Sequence, residues 1–247
     1  VVYEKQVQQA DVNPTHYAGV DLGVNNLAAI ASNKPGFVPV IVNGRPAKSI
    51  NQYYNKRRAE LQKRRVTAGK DTGRMERLTT RRNRRLDHYL HTASRQMINL
   101  LAREGIGTLV IGKNDGWKQE VDTGKRNNQN FVFIPHARFI DMLTYKAELV
   151  GIRVIVTEES YTSKASFLDL DELPIYGPGH DLEQQNEEKH RFAGKRVERG
   201  LYRAANRRYI NADVNGAYNI IRKVAPDAFA EGVEGAVVHP VRSDRKN

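Results

Sequence analysis

The sequence contains no cysteine. That excludes disulfides, thiolate nucleophiles and every cysteine-ligated metal centre. Long apolar runs are missing as well. No segment approaches the roughly 18 apolar residues that a membrane-crossing helix needs, and no basic start followed by an apolar stretch marks a secretory signal. There is a single Trp in 247 residues. Acid is the scarcer charge: 28 Asp+Glu stand against 40 Lys+Arg, giving +12 and a pI near 9.9. Such an excess favours an anionic partner, nucleic acid first. The length suits one large domain or a domain plus a subdomain. Because it begins on Val1 and not on Met, the chain reads as a piece of a longer or processed protein.

What is present falls into blocks. Residues 1–14 open with an alternating segment, Val1 to Val7, closed by Pro14. From His16 to about residue 48, apolar stretches separated by turn signals such as Asn43-Gly44 predict a meander of antiparallel strands, with Asp21 inside the first. From about 50 to 103 the β-pattern stops and basic clusters crowd in: Arg57 and Arg58, Arg64 and Arg65, Arg81 and Arg82, Arg84 and Arg85. Leu86, Tyr89, Leu90, Ala93, Met97, Leu100 and Leu101 recur at helical spacing, and Thr67–Gly73 breaks the run, so the block predicts a helical hairpin. One such cluster is equally an ordinary solvated face. Several on a chain of this charge favour phosphate contact.

A buried strand at Gly107–Gly112, a polar loop with Trp117 and Lys118, a helix at Ala137–Val150 and a strand at Ile152–Thr157 follow. Residues 162–209 are polar and irregular and read as an inserted subdomain. Residues 210–232 carry a last helix, and 233–247 read as a flexible tail. This succession resembles the ribonuclease-H-like α/β fold: a mixed five-stranded sheet with flanking helices, occupying 15–161 and 210–232. In that fold, acids from the first strand and the last helix converge on two divalent ions. Hard cations need several oxygen ligands, because two ions about 4 Å apart would otherwise repel. Asp21 and Asp213 stand at those two positions. A lone carboxylate in an apolar strand also suits a buried salt bridge, and Asp213 taken alone is also an ordinary helix-start acid.

Four motifs in order make the likeness specific: Gly19-Val-Asp-Leu-Gly23, Asn127-Asn-Gln-Asn-Phe131 with Pro135, Tyr161-Thr-Ser-Lys164, and Asn211-Ala-Asp-Val-Asn-Gly-Ala217. From about Val1 to Lys223 the chain resembles the TnpB (OrfB) proteins of insertion sequences, which are RNA-guided DNA endonucleases with a RuvC-type nuclease domain. The resemblance implies a metal-dependent DNA endonuclease using two Mg²⁺ (or Mn²⁺) ions. It implies target DNA and a guide RNA as partners, no membrane, and a cytoplasmic, nucleoid-associated location. It also implies that residues 1–14 end a preceding wedge-like barrel.

Two departures bear on the chemistry. The family's second acid ends the strand before the long loop, where this chain has Gly112. Relatives called Fanzor carry a displaced Glu just before Tyr-Thr-Ser. Here that segment is Thr157-Glu-Glu-Ser-Tyr161, which makes Glu159 the expected third metal ligand and Glu158 its rival. Asp115 is a weaker candidate. The family also inserts a zinc ribbon with two Cys-x-x-Cys pairs. Without cysteine, and with His180 and His190 ten residues apart, no structural zinc is expected. Trp117, Lys118, Tyr161 and Lys164 are candidate nucleic-acid contacts beside the arginines, with local packing or a solvated charge as the equal alternative for Tyr161 and Lys164. Phe131 and Phe133 suit stacking less well than core. Gly112 also leaves open a nuclease-dead, RNA-guided DNA-binding protein or repressor, and an assembly fragment without activity of its own.

Overall fold

A computed structural model describes residues 9–68, 72–113, 134–174, 191–233 and 235–243, with the backbone alone at 64–68 and 72. Trp117, Lys118, Asp115, Phe131, Phe133, His180 and His190, and the side chains of Arg64 and Arg65, lie outside the described residues.

Strands β1 (Asn13–Leu22), β2 (Asn26–Ser32) and β3 (Val40–Asn43) form the antiparallel meander. Strand β4 (Ile106–Gly112) lies parallel to β1 on its other side, and β5 (Arg153–Thr157) parallel to β4. β4 is buried at every residue, as a central parallel strand covered on both faces must be. Three short strands, β6 (Lys195–Glu198), β7 (Leu201–Arg203) and β8 (Tyr209–Asn211), make a second, antiparallel sheet within the insert. The chain then returns: β9 (Val241–Ser243) pairs parallel with β3, so the main sheet runs β5-β4-β1-β2-β3-β9. It therefore has six strands where the sequence suggested five, and the tail expected to fray supplies the extra one. The row of unpaired backbone groups on the outer side of β3 is the physical reason, because an uncovered edge seeks partners.

Helix α1 (Arg45–Ala68) and helix α2 (Thr72–Arg103) form the expected hairpin. The stripe Leu86, Tyr89, Leu90, Ala93, Met97, Ile98 and Leu101 of α2 is buried against the sheet together with α3 (His136–Glu148). The base of the hairpin is joined by polar contacts: Tyr54 Oη lies 3.2 Å from Thr79 Oγ1, and Arg82 Nε donates to Asn51 Oδ1 at 2.8 Å. Helix α4 (Ala212–Val224) covers the other face. There Phe167 of the insert stacks on Tyr218 at 4.2 Å between ring centres and meets Phe229 edge-on at 4.8 Å. Among the described residues no helix is long and apolar enough to cross a membrane.

Along β1, Ala18, Val20 and Leu22 face the α2–α3 side, while Gly19 and Asp21 face α4. A Cβ at Gly19 would stand 2.0 Å from the carbonyl oxygen of Ala217 and 2.8 Å from Ile221 Cγ1. The backbone of α4 thus sits directly on the central strand, a separation only glycine permits. Gly19→Ala should lower stability by roughly 3 kcal/mol, because packed backbone has nowhere to move. Urea unfolding measures it, and an unchanged midpoint would mean that α4 does not rest on β1 in solution.

Candidate active site

Asp21 comes from the C-terminal end of β1, and Asp213 from the first turn of α4. β8 runs straight into α4, whose start is capped by Asn211: its side-chain oxygen accepts from the amides of Asp213 at 3.1 Å and Val214 at 3.2 Å. The cap fixes the direction of Asp213. Gly216, one turn on, leaves room for the strand acid, since a Cβ there would lie 2.6 Å from Asp21 Oδ2.

Glu159 follows β5 by two residues, beside the end of β4, where Gly112 pairs with Thr157. A Cβ at position 112 would lie 2.6 Å from Glu159 Oε2, so the Glu159 carboxyl occupies the space that a side chain on Gly112 would take. That Oε2 is buried and, among the described residues, has no hydrogen-bond partner. Glu158 points elsewhere: it accepts from its neighbour Ser160 N at 2.7 Å and forms an ion pair with Lys223, whose side chain is only 5% exposed. The turn carrying both glutamates is bolted to α4. Asn215 Nδ2 and Asn219 Nδ2 each donate to the Ala165 carbonyl at 2.8 Å, and Asn219 also donates to that of Thr162 at 3.0 Å.

The electrostatics follow from this crowding. Burial first, then the neighbouring Glu159 and Asp213, push the Asp21 carboxyl well above the usual range, and Arg196 opposes them. Glu159 is pushed up to about 7, by burial first and Glu158 second, against the pull of Lys223. Burial that disfavours a carboxylate's charge is a cost that a bound cation relieves. Among the described residues, no group of three His, Asp or Glu side chains is placed to hold a metal ion. Carboxylate oxygen donors, one of them buried without a partner among the described residues, are nevertheless the chemistry that a hard divalent ion fits.

Several contributors were not singled out in the sequence. Asn26 Nδ2 donates to Asp213 Oδ2 at 2.6 Å, and Arg196 reaches Asp213 Oδ1 at 3.5 Å. With Asp21 they line a cleft of about 710 Å³, into which Arg45, Arg199 and Arg242 also face. Their elements are far apart in sequence, and a lone Arg in a polar stretch carries no signal of its own. Of the hairpin arginines, Arg57, Arg58, Arg81, Arg84 and Arg85 are exposed. Arg82 is not free for phosphate: besides Asn51 it lies over the Tyr54 ring at 5.7 Å and bonds Asn83 Oδ1 at 2.9 Å, tying α2 to α1. Tyr161 has φ 64° and sits 6.1 Å from Phe192 between ring centres. The exposed Lys164 lies over the Tyr161 ring at 5.6 Å, so the two share one local arrangement.

Comparison with known proteins agrees over nearly the whole chain. A family model described as a probable transposase, OrfB of the IS605 type, matches residues 1–118, and one described as Cas12f1-like, TNB domain, matches residues 136–220. A TnpB-like protein of Acidianus two-tailed virus is 25% identical over 228 residues, covering 89% of this chain and 44% of its own. A Cas12f1 solved with sgRNA and target DNA has the same fold at a TM-score of 0.59 and 18% identity, covering 87% of this chain and 40% of that one. A Cas12f ternary complex matches equally, at 0.59 and 18%, over 88% and 40%. The chain thus spans less than half the length of these relatives. Two consecutive family models and a curated TnpB-like relative thus make the chain similar to TnpB (OrfB) and Cas12f1-like proteins along most of its length.

Proposed function

We propose that the chain is the nuclease portion of an RNA-guided DNA endonuclease, with a ribonuclease-H-like, RuvC-type core. The reading is supported by Asp21 and Asp213 lining one cleft from two separate elements, and by Glu159, whose buried Oε2 lies over Gly112 with no hydrogen-bond partner among the described residues. These three would hold two Mg²⁺ or Mn²⁺ ions. When bound, such ions supply an activated water and stabilise the leaving 3′ oxygen of a phosphodiester.

The chain's own residues do the rest. Asn26 occupies one oxygen of Asp213 and so limits which lone pairs face the cleft. Lys223 neutralises Glu158 and keeps it off the site, leaving Glu159 as the acid that faces Asp21. Arg45, Arg196, Arg199 and Arg242 present donors that match backbone phosphates of the bound DNA strand. The exposed hairpin arginines extend that surface toward guide RNA or target DNA, and the complex would work in the cytoplasm on the nucleoid. A binding-only repressor is the second reading, resting on the missing acid at Gly112. The Glu159 carboxyl over that glycine argues against it.

Asp21→Ala, Asp213→Ala and Glu159→Gln should each reduce Mg²⁺-dependent cleavage by orders of magnitude in the full-length protein, with Glu158→Gln much milder. Gly112→Ala sharpens the test. The atoms its Cβ meets are ends of flexible side chains, Glu159 Oε2 and Ile220 Cδ1, each at 2.6 Å, so folding should survive while Glu159 is displaced and activity lost. Full activity in Gly112→Ala or Glu159→Gln would remove Glu159 from the site.

Stability should show the same strain. Glu159 has its folded-state pKa raised from 4.5 to about 7, so between those values the folded chain holds a proton that the unfolded chain has lost. Stability must therefore fall as pH rises through that window. In EDTA, Glu159→Gln should flatten this fall and gain about 2 kcal/mol at pH 8, measured by urea unfolding across the pH range. An unchanged pH profile would contradict it.

DNA affinity should drop steeply with salt, at a log–log slope of about −0.9 per phosphate contact. Arg81→Ala, Arg84→Ala and Arg85→Ala should each flatten that slope, whereas Arg82→Ala should instead loosen the hairpin. A salt-independent affinity would rule out phosphate contact as the role of the hairpin.

A further inference from the structure

The insert that carries Arg196 has no metal ligand of the sulfur type and, among the described residues, no His/Asp/Glu cluster suited to an ion. β6, which holds Arg196, is exposed at all four residues, so no apolar burial fixes it. Its position depends on pairing with β7 and on what precedes it. What precedes it is a set of carboxylate contacts from the turn 166–171.

Asp171 accepts from the Ala193 amide through both oxygens, at 3.0 and 3.2 Å, and from the Ser166 amide at 2.7 Å. Asp169 Oδ2 accepts from Ser166 Oγ at 2.6 Å and from the Ala205 amide at 2.9 Å. Ala193 lies two residues before β6 and Ala205 two residues after β7, at the same end of that pair, where Lys195 faces Arg203. The turn is itself anchored: Arg222 of α4 donates to the carbonyls of Leu170 at 3.0 Å and Asp171 at 2.8 Å, and Phe167 N donates to Asn215 Oδ1 at 2.9 Å. Charge-assisted bonds to backbone amides are directional and stronger than neutral ones. The path from the rigid helix to the exposed strand therefore runs α4, turn 166–171, Ala193, Arg196.

We propose that Asp169 and Asp171 are the clasp of this insert, holding the β6–β7 pair against α4 without a metal, and that they are thereby positioning residues for Arg196 at the cleft. The second half of this statement rests on the function proposed above; the first does not.

The test uses the whole chain with Asp169→Ala and Asp171→Ala combined, and reads backbone hydrogen exchange together with binding of a labelled single-stranded DNA oligonucleotide in EDTA. Exchange at the amides of Ala193 and Ala205 should accelerate at least about tenfold, while amides of β1 and β4 stay protected. Zinc chelators should leave the exchange of the unaltered chain as it is. Oligonucleotide affinity should fall about as far as in Arg196→Ala, and adding the two Asp changes to Arg196→Ala should cost nothing more. Asp171→Asn, which keeps one acceptor, should recover part of both. Unchanged exchange, or opening of the insert by a chelator, would overturn the clasp. Affinity losses that multiply with Arg196→Ala would overturn the positioning role. If the unaltered chain bound no oligonucleotide, the proposed function would fall and the role of Arg196 with it, while exchange would still decide the clasp.

Discussion

The seating of α4 on β1 governs everything else in this molecule. Because Gly19 has no side chain, the helix backbone comes down onto the central strand, and because Gly216 has none, the strand's Asp21 fits beneath the helix. The same helix offers Asp213 from its capped first turn, Asn215 and Asn219 from its middle, and Arg222 and Lys223 from its end. One rod of 13 residues thus sets the strand acid, the helix acid, the glutamate turn and the root of the insert. Burying two faces of a sheet stabilises the fold, but it is this one contact that brings Asp21 and Asp213 to the same cleft.

That arrangement is costly in the absence of a cation. Burying carboxylates near one another opposes folding, and the structure offsets it only in part, with Asn26 and Arg196 on Asp213 and Lys223 on Glu158. Glu159 and Asp21 keep the remainder as raised proton affinity. The scaffold around them is in contrast well satisfied: the α2–α3 core is continuous, and aromatic packing of Phe167, Tyr218 and Phe229 secures the insert's root. The raised carboxyls thus sit at the cleft, with packed side chains behind them.

Much of this was readable from residues alone. Asp21 announces itself as a charge in an apolar alternation, and α2 by its spacing of three and four; both signals are local. The motif order located Asp213 and the Glu158–Glu159 pair, which the fold brings to one end of the sheet. What stayed hidden depends on tertiary contact. β9 is a three-residue Val-Arg-Ser segment with no pattern of its own, and only the open edge of β3 makes it a strand. Arg82 looks like its neighbours in the basic run, yet it turns inward to Asn51 and Tyr54. Asn26 and Arg196 have no sequence signature, since their relevance lies wholly in reaching Asp213 across the fold.

The glutamate lying over Gly112 also bears on how such a site can change over generations. A side chain on β4 and a carboxyl from the end of β5 compete for one volume, so each excludes the other. If Glu159 is the third ligand, any side chain gained at position 112 displaces it in the same step, so the two positions cannot change independently. The bare glycine thereby couples the ends of β4 and β5: volume added at one is taken from the other.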